Sequence, residues 1–244
     1  LERLVPKRPL GQPRPRRWFA NLAVVAVDTA ALRLGFFFLP ALAVGFAALL
    51  EAEGVGLLNV VALPYWADFL IAVLLLDLVI YGQHVAFHHV PFLWRMHRMH
   101  HADLDIDVTT GLRFHPGEIV LSMLLKLAVI AALGAPALAV LVFEIALNGL
   151  AMFNHSNIDL PGWLERPLRR LIITPDVHRV HHSTIVREHN SNFGFNLSVW
   201  DRIFRTWRAQ PEKGHRGMDI GLGAYRDGAR QGLLWMMALP FRRL

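Results

Sequence analysis

The sequence predicts an all-α integral membrane protein, a helical bundle of about four membrane helices with a cytosolic helical cap that carries clustered histidines. Three observations predict this fold class. Of the 244 residues, 54% are hydrophobic and only 18% are charged, and the mean hydropathy of +0.37 is too high for an ordinary soluble domain. Apolar stretches of membrane-spanning length recur along the chain. Most of the thirteen histidines gather between these stretches or after them.

The basic residues are concentrated at the two ends of the chain. The net charge is +6. Lys and Arg lie in an N-terminal tail, residues 1–18, and in a C-terminal basic extension, residues 211–244, as expected for segments that face anionic lipid headgroups rather than nucleic acid. The tail ends in "PRPRRW" without the apolar run and cleavage site of a signal peptide. We therefore expect a cytoplasmic tail, and a disordered leader is compatible with it.

Residues 19–66 form the predicted N-terminal membrane region. Its apolar stretch 19–50 is interrupted by Asp28, and as one helix it would rise about 48 Å against a hydrocarbon core of about 30 Å. Either its first half lies at the interface and its second half crosses with a kink at Pro40, or the halves form a hairpin. The basic tail and the acidic segment 51–66, which lacks Lys and Arg, favour a single crossing with the tail inside.

The main domain, residues 67–210, begins with a second span over residues 67–83, which is about 25 Å of helix. Residues 119–153 form a longer apolar stretch that the Gly-Ala-Pro sequence at 134–136 divides into two arms. This pattern predicts a helical hairpin that enters and leaves the membrane on one side. The flanking histidine-rich segments then share the cytoplasmic side. We expect a multi-pass protein of a bacterial inner membrane.

Three histidine clusters at helical spacing are the candidate metal-binding residues of this sequence. Two histidines lie at i and i+4 in "HVAFH", and three lie at i, i+3 and i+4 in both "HRMHH" and "HRVHH". Each cluster is therefore expected on one face of a helix. By composition an HxxHH pattern is expected by chance only about 0.04 times in such a chain. The eight residues are His84, His88, His97, His100, His101, His178, His181 and His182.

These clusters predict two metal ions, because eight imidazoles exceed the three or four protein ligands of one zinc site. The chain has no cysteine, which excludes thiolate-ligated haem, cysteine-ligated iron–sulfur clusters and cysteine zinc sites. Imidazole suits Fe, Zn, Cu and Ni alike, so the spacing leaves the metal open. The absence of HExxH argues against a zinc metalloprotease. Surface histidines on amphipathic helices are the alternative without metal.

Six segments together resemble the fatty acid hydroxylase superfamily, also called the sterol desaturase family. They are "HVAFH", "LWRMHRMHH", "RFHPGE", "FNHSN", "TPDVHRVHHS" and "NSNFGFNLSVWDRIFRT". The resemblance covers about residues 69–206 and makes 67–210 the catalytic domain. It implies a four-helix membrane anchor and a cytosolic histidine-lined site for two iron ions, which zinc can replace in preparations. It also implies an oxidoreductase that uses O2 as cosubstrate and external electrons to hydroxylate, or less often desaturate, a lipid.

The resemblance also implies the metal ligands, which are the eight clustered histidines and His155 of "FNHSN" as a ninth. Some members have a further histidine four residues before this position, where this chain has Ala151. His115 and His189 are therefore candidates for a tenth ligand, or else hydrogen-bonding neighbours of the site. His89 and His215 are expected outside it.

Further polar residues are candidates for the surroundings of the metals. Asn154, Asp176 and Asn192 are predicted to hydrogen-bond to the ligands or to shape the local turns. For Asp176 the preferred role is the first turn of a helix that Thr174 caps. The usual Gly of the family's "WDRIFGT" segment is Arg205 here, a change expected to leave the metal site untouched.

The sequence contains no fused redox module, since CxxCH, cysteine clusters and GxGxxG are all missing. Electrons are therefore expected from a separate protein, such as a ferredoxin, cytochrome or reductase, that binds the basic surface. A membrane protein that holds zinc without catalysis is the alternative from another class, and a carotenoid hydroxylase is the alternative among enzymes. The substrate stays open among sterols, fatty acyl chains, hopanoids, sphingolipid bases, ether lipids and carotenoids.

Overall fold

The computed structural model describes residues 1–36, 42–228 and 231–242, and every regular element in these ranges is a helix. The helices are α1 (Arg14–Gly35), α2 (Leu42–Ala52), α3 (Leu57–Val60), α4 (Tyr65–His89), α5 (Pro91–His101), α6 (Pro116–Leu133), α7 (Ala137–Asn154), α8 (Gly162–Leu168), α9 (Pro175–His181), α10 (Val186–His189), α11 (Val199–Ile203), α12 (Gly214–Gly217) and α13 (Leu233–Ala238). Within the described ranges, β-structure is limited to isolated bridges. The predicted all-α class is confirmed.

Among the described residues, five segments are long and apolar enough to cross a membrane, which makes this an integral, multi-pass protein. They are α1, residues 43–60, α4, α6 and α7, one more than the four expected. Segment 43–60 is the least regular, because α2 has 11 residues, roughly 16 Å of helix. A turn with Gly54 and Gly56 at positive φ separates α2 from α3.

The start of α1 and the end of α2 make contacts that are consistent with the predicted single crossing. Near the start of α1, the Arg17 guanidinium donates to the Asp103 carboxylate, two residues after the second histidine cluster. Near the end of α2, the Glu51 carboxylate accepts from the backbone N–H of Ala137, at the turn between α6 and α7. These contacts lie at opposite ends of the bundle. The predicted kink at Pro40 lies outside the described residues.

The predicted hairpin is formed by α6 and α7. Helix α6 ends at Gly134, which has φ +65° in the left-handed region, and α7 starts immediately after Pro136. The hairpin packs against α4 and α2 through buried apolar side chains. Among them are Leu76, Ile80, Met123, Leu127, Ile130, Val140 and Phe143.

The N-terminal tail lies on the histidine-bearing cap. The Lys7 ammonium lies 2.9 Å from carboxylate oxygens of both Asp159 and Asp176. The Arg8 guanidinium donates to the carbonyl of Met218 at 2.8 Å. The tail therefore packs against the cap as an ordered segment rather than as a disordered leader.

Gly56 offers a test of the packing at the far end of the bundle. A methyl group added to Gly56 would lie 2.2 Å from the backbone nitrogen of Gly134, and the φ of Gly56 is +104°. We expect Gly56→Ala to lower the free energy of unfolding by about 1–3 kcal/mol. The midpoint of unfolding is measured in detergent by the fluorescence of the seven tryptophans.

Gly149→Ala is the matched control, because nothing lies within 4 Å of its added methyl group. It lies inside α7, where alanine is favoured over glycine by up to about 1 kcal/mol. Equal midpoints for the two variants would contradict the predicted close approach at Gly56.

Candidate metal centre

Nine histidines converge at one end of the bundle. They come from the end of α4, from α5, from the residue after α7, and from α9 with the residue after it. Eight are fully buried, and His88 is partly buried. The structure brings together the nine residues predicted as ligands, His84, His88, His97, His100, His101, His155, His178, His181 and His182.

The nine residues form two groups, and within each group the possible ligand nitrogens lie within 4.8 Å of one another. The first group is His84, His88, His97, His101 and His181, and the second is His100, His155, His178 and His182. Each HxxHH cluster is therefore divided between the groups. His97 and His101 face the first group while His100 faces the second, so the three do not converge on one ion.

The Nε2 atoms are close in both groups. In the first, Nε2 of His84 lies 3.2 Å from Nε2 of His97 and 3.1 Å from Nε2 of His181. In the second, Nε2 of His155 lies 3.0 Å from Nε2 of His100 and 2.9 Å from Nε2 of His178.

The partners of the other ring nitrogens show that one close pair in each group, His84–His181 and His100–His155, is not a hydrogen bond. Four Nδ1 atoms face backbone carbonyls, which can only accept. These pairs are His84 with Phe193 at 2.7 Å, His100 with Arg113 at 3.2 Å, His155 with Ala151 at 2.6 Å and His181 with Ser191 at 2.7 Å. Each Nδ1 must therefore carry the proton, which leaves a bare lone pair on Nε2. Lone pairs that meet at about 3 Å repel unless a cation lies between them, so the residues fit two metal ions.

The imidazoles outside the membrane-spanning segments are held neutral. Burial lowers the pKa of His155 to about 4. Burial, followed by the neighbouring imidazoles, also lowers the pKa of His97, His100, His101, His178, His181 and His182 well below the ordinary value. Neutral imidazole is the form that binds a metal ion.

Glu118 is a functional residue that the sequence reasoning missed. Its Oε1 lies 2.7 Å from Nδ1 of His97, and the side chain is buried. A carboxylate in this place orients the imidazole and makes its Nε2 more basic. The only sequence signal was the position of Glu118 in "RFHPGE", which belonged to the resemblance without a role. Asn190, which lies 3.3 Å from Nδ1 of His88, was also missed.

The segment that presents the carbonyl of Phe193 is fixed by Asp201. The Asp201 carboxylate accepts from the backbone N–H groups of Phe193 and Gly194 at 2.8 and 2.9 Å. Arg205, in the same motif, has φ +60°, in the left-handed region that favours glycine. The glycine usual in the family therefore has a backbone reason, and Arg205 belongs to neither histidine group.

The remaining histidines lie outside both groups. The ring of His189 borders the first group, 4.4 Å from the ring centre of His101, and its Nδ1 is buried with no described partner. His115 caps α6, where its Nδ1 accepts from the N–H of Gly117. His89 donates to the carbonyl of Val85, and His215 lies 3.7 Å from Asp176.

Three residues predicted to surround the metals make their hydrogen bonds elsewhere. Asn154 donates to the carbonyl of Phe195. Asn192 donates to the carbonyls of Val177 and Arg208, so it ties two loops together.

Asp176 also contacts no ligand imidazole in the described hydrogen bonds. It pairs with Arg179 at 2.7 Å and with Lys7. The Thr174 side chain makes no capping hydrogen bond, and its hydroxyl instead donates to Glu165. Thr174 therefore occupies the predicted N-cap position and Asp176 the first turn of α9, but the capping hydrogen bond of the Thr174 side chain is missing.

A cavity of about 370 Å³ extends from the first histidine group into the membrane bundle. It is bordered by helices α1, α4, α6 and α7 and reaches His84 and His97. Apolar side chains such as Leu32, Ile80, Met123 and Leu147 line much of it. Such a cavity suits the apolar chain of a lipid.

A multi-pass helical bundle with clustered histidines beside an apolar cavity defines the class as a membrane protein with a candidate polyhistidine metal centre. The comparison with protein families names the family. The fatty acid hydroxylase model matches residues 69–206, more than half of the chain, so this protein belongs to the fatty acid hydroxylase family. The predicted family is confirmed.

Curated relatives match the same region at modest identity. An ornithine lipid hydroxylase of Rhizobium tropici is 28% identical over 180 residues, 74% of this chain and 52% of the relative. Alkylglycerol monooxygenase of Homo sapiens is 29% identical over 144 residues, 56% of this chain and 30% of the relative. Cholesterol 25-hydroxylase of Rattus norvegicus is 29% identical over 145 residues, 58% of this chain and 47% of the relative. The matches span about half of these relatives or less, and no solved structure matches the chain.

Removal of a ligand from the first group tests the metal centre directly. We expect His97→Ala and His181→Ala each to reduce the bound metal from two ions per chain to one or fewer, because the group loses an Nε2 ligand. Inductively coupled plasma mass spectrometry of purified protein gives the ratio. His89→Ala is the control, because His89 lies outside both groups. Two ions in all three variants would contradict the assignment.

Glu118→Gln tests the carboxylate behind His97. The change keeps the side-chain size and removes the charge, so metal affinity is expected to fall about 10- to 100-fold. Competition with a chelator of known affinity measures the change, and the exposed Glu53→Gln serves as control. Equal affinities for Glu118→Gln and the wild type would assign Glu118 a packing role only.

Proposed function

We propose that this protein is a membrane-bound, O2-dependent di-iron oxidoreductase that hydroxylates, or desaturates, a C–H bond of a lipid. One observation carries the proposal. Two groups of neutral imidazoles direct their Nε2 atoms at one another beside an apolar cavity between membrane helices. A paired metal site at the end of a lipid-sized cavity is the arrangement that oxidation of a lipid needs.

Iron is proposed as the native metal because of the family and the names of its relatives. The curated relatives are named as hydroxylases and a monooxygenase, and imidazole ligands suit iron. Two bound iron ions would supply O2 activation, in which the lipid C–H, O2, two external electrons and two protons give the C–OH and water. The proposed ligands are the nine grouped histidines, with His189 and His115 as outer candidates.

The chain's own residues orient the site and keep it dry. The carbonyls and Glu118 fix the ring orientation of five histidines through their Nδ1 atoms. Phe114 stacks on His100 with ring centres 4.5 Å apart, and Phe195 lies 5.0 Å from His84. Both phenylalanines also line the cavity. They would exclude water from the space where the lipid C–H meets the metals.

The substrate is proposed as a lipid that enters from the membrane. The relatives' names specify an ornithine lipid, alkylglycerols and cholesterol, which differ in chemistry but share a long apolar part. A sterol and a fatty acyl chain are both consistent with the cavity. Residues 67–210 are proposed as the catalytic domain.

The histidine site is proposed to face the cytoplasm of a bacterium. A separate electron-transfer protein is the proposed partner. A second cavity of about 330 Å³ reaches His88 and His189 from the other side of the site, next to Trp94 and Tyr225. It gives the first histidine group an approach that does not pass through the membrane cavity. The basic tail on the same cap favours an acidic carrier.

The proposed function is tested with labelled dioxygen. Cells with and without the gene are grown under ¹⁸O2, and their lipids are compared by mass spectrometry. We expect one lipid class to gain a single ¹⁸O only when the gene is present, and His181→Ala to abolish the gain. A desaturase would instead remove two hydrogens without label. Tightly held zinc, with no lipid change and no O2 consumption on addition of reductant and lipid, would favour a non-catalytic zinc protein.

A further inference from the structure

The membrane cavity contains more acidic side chains than basic ones. Asp28, Glu118 and Glu144 line it, whereas Lys126 is the only Lys or Arg among its described lining residues. Charged groups in membrane segments are rare and usually pair with one another or mark a binding pathway. The excess of carboxylates therefore needs a partner or a function.

Lys126 is already paired. Its ammonium lies 2.5 Å from the Glu144 carboxylate, and the Lys126 side chain is 8% exposed. This pair joins α6 to α7 across the cavity wall. The charges of Lys126 and Glu144 cancel, which leaves Asp28 and Glu118 in excess.

Three lining residues offer oxygen atoms without a hydrogen-bond partner among the described residues. These atoms are Oδ1 of Asp28, Oε2 of Glu118 and Oε1 of Gln83, and all are buried. Glu118 uses its other oxygen for His97, and Gln83 uses its amide N–H2 for Ser122. Asp28 is only 8% exposed and has no described partner. The free polar atoms of these residues are all acceptors.

An ammonium group matches these atoms in both charge and hydrogen bonding. It is a cation with three N–H donors and no acceptor. A hydroxyl offers one donor and no charge, and an anionic headgroup would be repelled by the same carboxylates.

We propose that the cavity binds a lipid that carries a protonated amine, with Asp28 as the main recognition residue. This inference rests on the proposed function and specifies its substrate class. Asp28 is a specificity residue, since it lies outside both histidine groups. Glu118 both orients His97 and adds to the negative potential of the cavity.

The test compares two probes that differ only in the amine. Oleylamine is cationic at neutral pH, whereas N-oleylacetamide has the same chain and no charge. Binding of each to the purified full-length protein in detergent is measured by native mass spectrometry. We expect the wild type to bind oleylamine about tenfold or more tightly, as is typical of a hydrogen-bonded charge.

Asp28→Asn should reduce this preference to about twofold or less, and the exposed Glu53→Gln at the other end of the bundle should retain it. Glu144→Gln gives an independent test because it removes the partner of Lys126 and leaves an unpaired positive charge in the cavity, so the preference should fall there too. All variants are checked for unchanged melting and metal content. A wild type without preference, or an unchanged preference in both folded cavity variants, would overturn the proposal.

Failure of this inference is distinguishable from failure of the proposed function. A protein that incorporates ¹⁸O into a lipid without an amine, and shows no preference between the probes, would refute the amine site alone. A protein that prefers oleylamine through Asp28 but oxidises no lipid would refute the oxidase and keep the binding site.

Discussion

The rest of the structure depends on buried imidazoles whose Nε2 lone pairs face one another. His84 and His181 place their Nε2 atoms 3.1 Å apart, although the carbonyls of Phe193 and Ser191 hold the proton of each ring on Nδ1. Without a cation this arrangement is repulsive, and burial makes protonation of the rings costly. The fold must therefore hold the rings in place, in an arrangement that fits one cation in each group.

Much of the cap serves to hold these rings. Loops bring backbone carbonyls to the Nδ1 atoms, and Asp201 fixes the loop that presents Phe193. Arg17 bonds to Asp103 and Asp107, all three of them buried, so the start of α1 is tied to the segment after α5. Such pairs are costly to break singly, because the remaining charge stays buried. The tail adds an ion pair between Lys7 and Asp176 in the first turn of α9, and α9 with the residue after it carries three of the grouped histidines.

The membrane part of the protein has a different role. Its core is apolar and closely packed, but the cavity beside the histidines carries Asp28, Glu118 and the Lys126–Glu144 pair. An apolar cavity alone would accept any lipid chain. The polar groups add a means of choosing among headgroups, and they lie on α1, α6 and α7 rather than on the helices that carry most of the grouped histidines.

The sequence by itself determined the helical class, the hairpin and the eight clustered histidines, because helical spacing and hydropathy are local properties, and the family resemblance added His155. It could not determine how the histidines divide. His97 and His101 face one group while His100 faces the other, since the division depends on the neighbouring helices. Glu118 and Asp28 were equally hidden, because a lone acid in an apolar stretch acquires a partner only through tertiary contact. Only the tertiary structure decided which imidazole nitrogens face each other. The physical reason is that lone pairs and charges interact over a few ångströms, between elements that are distant in sequence.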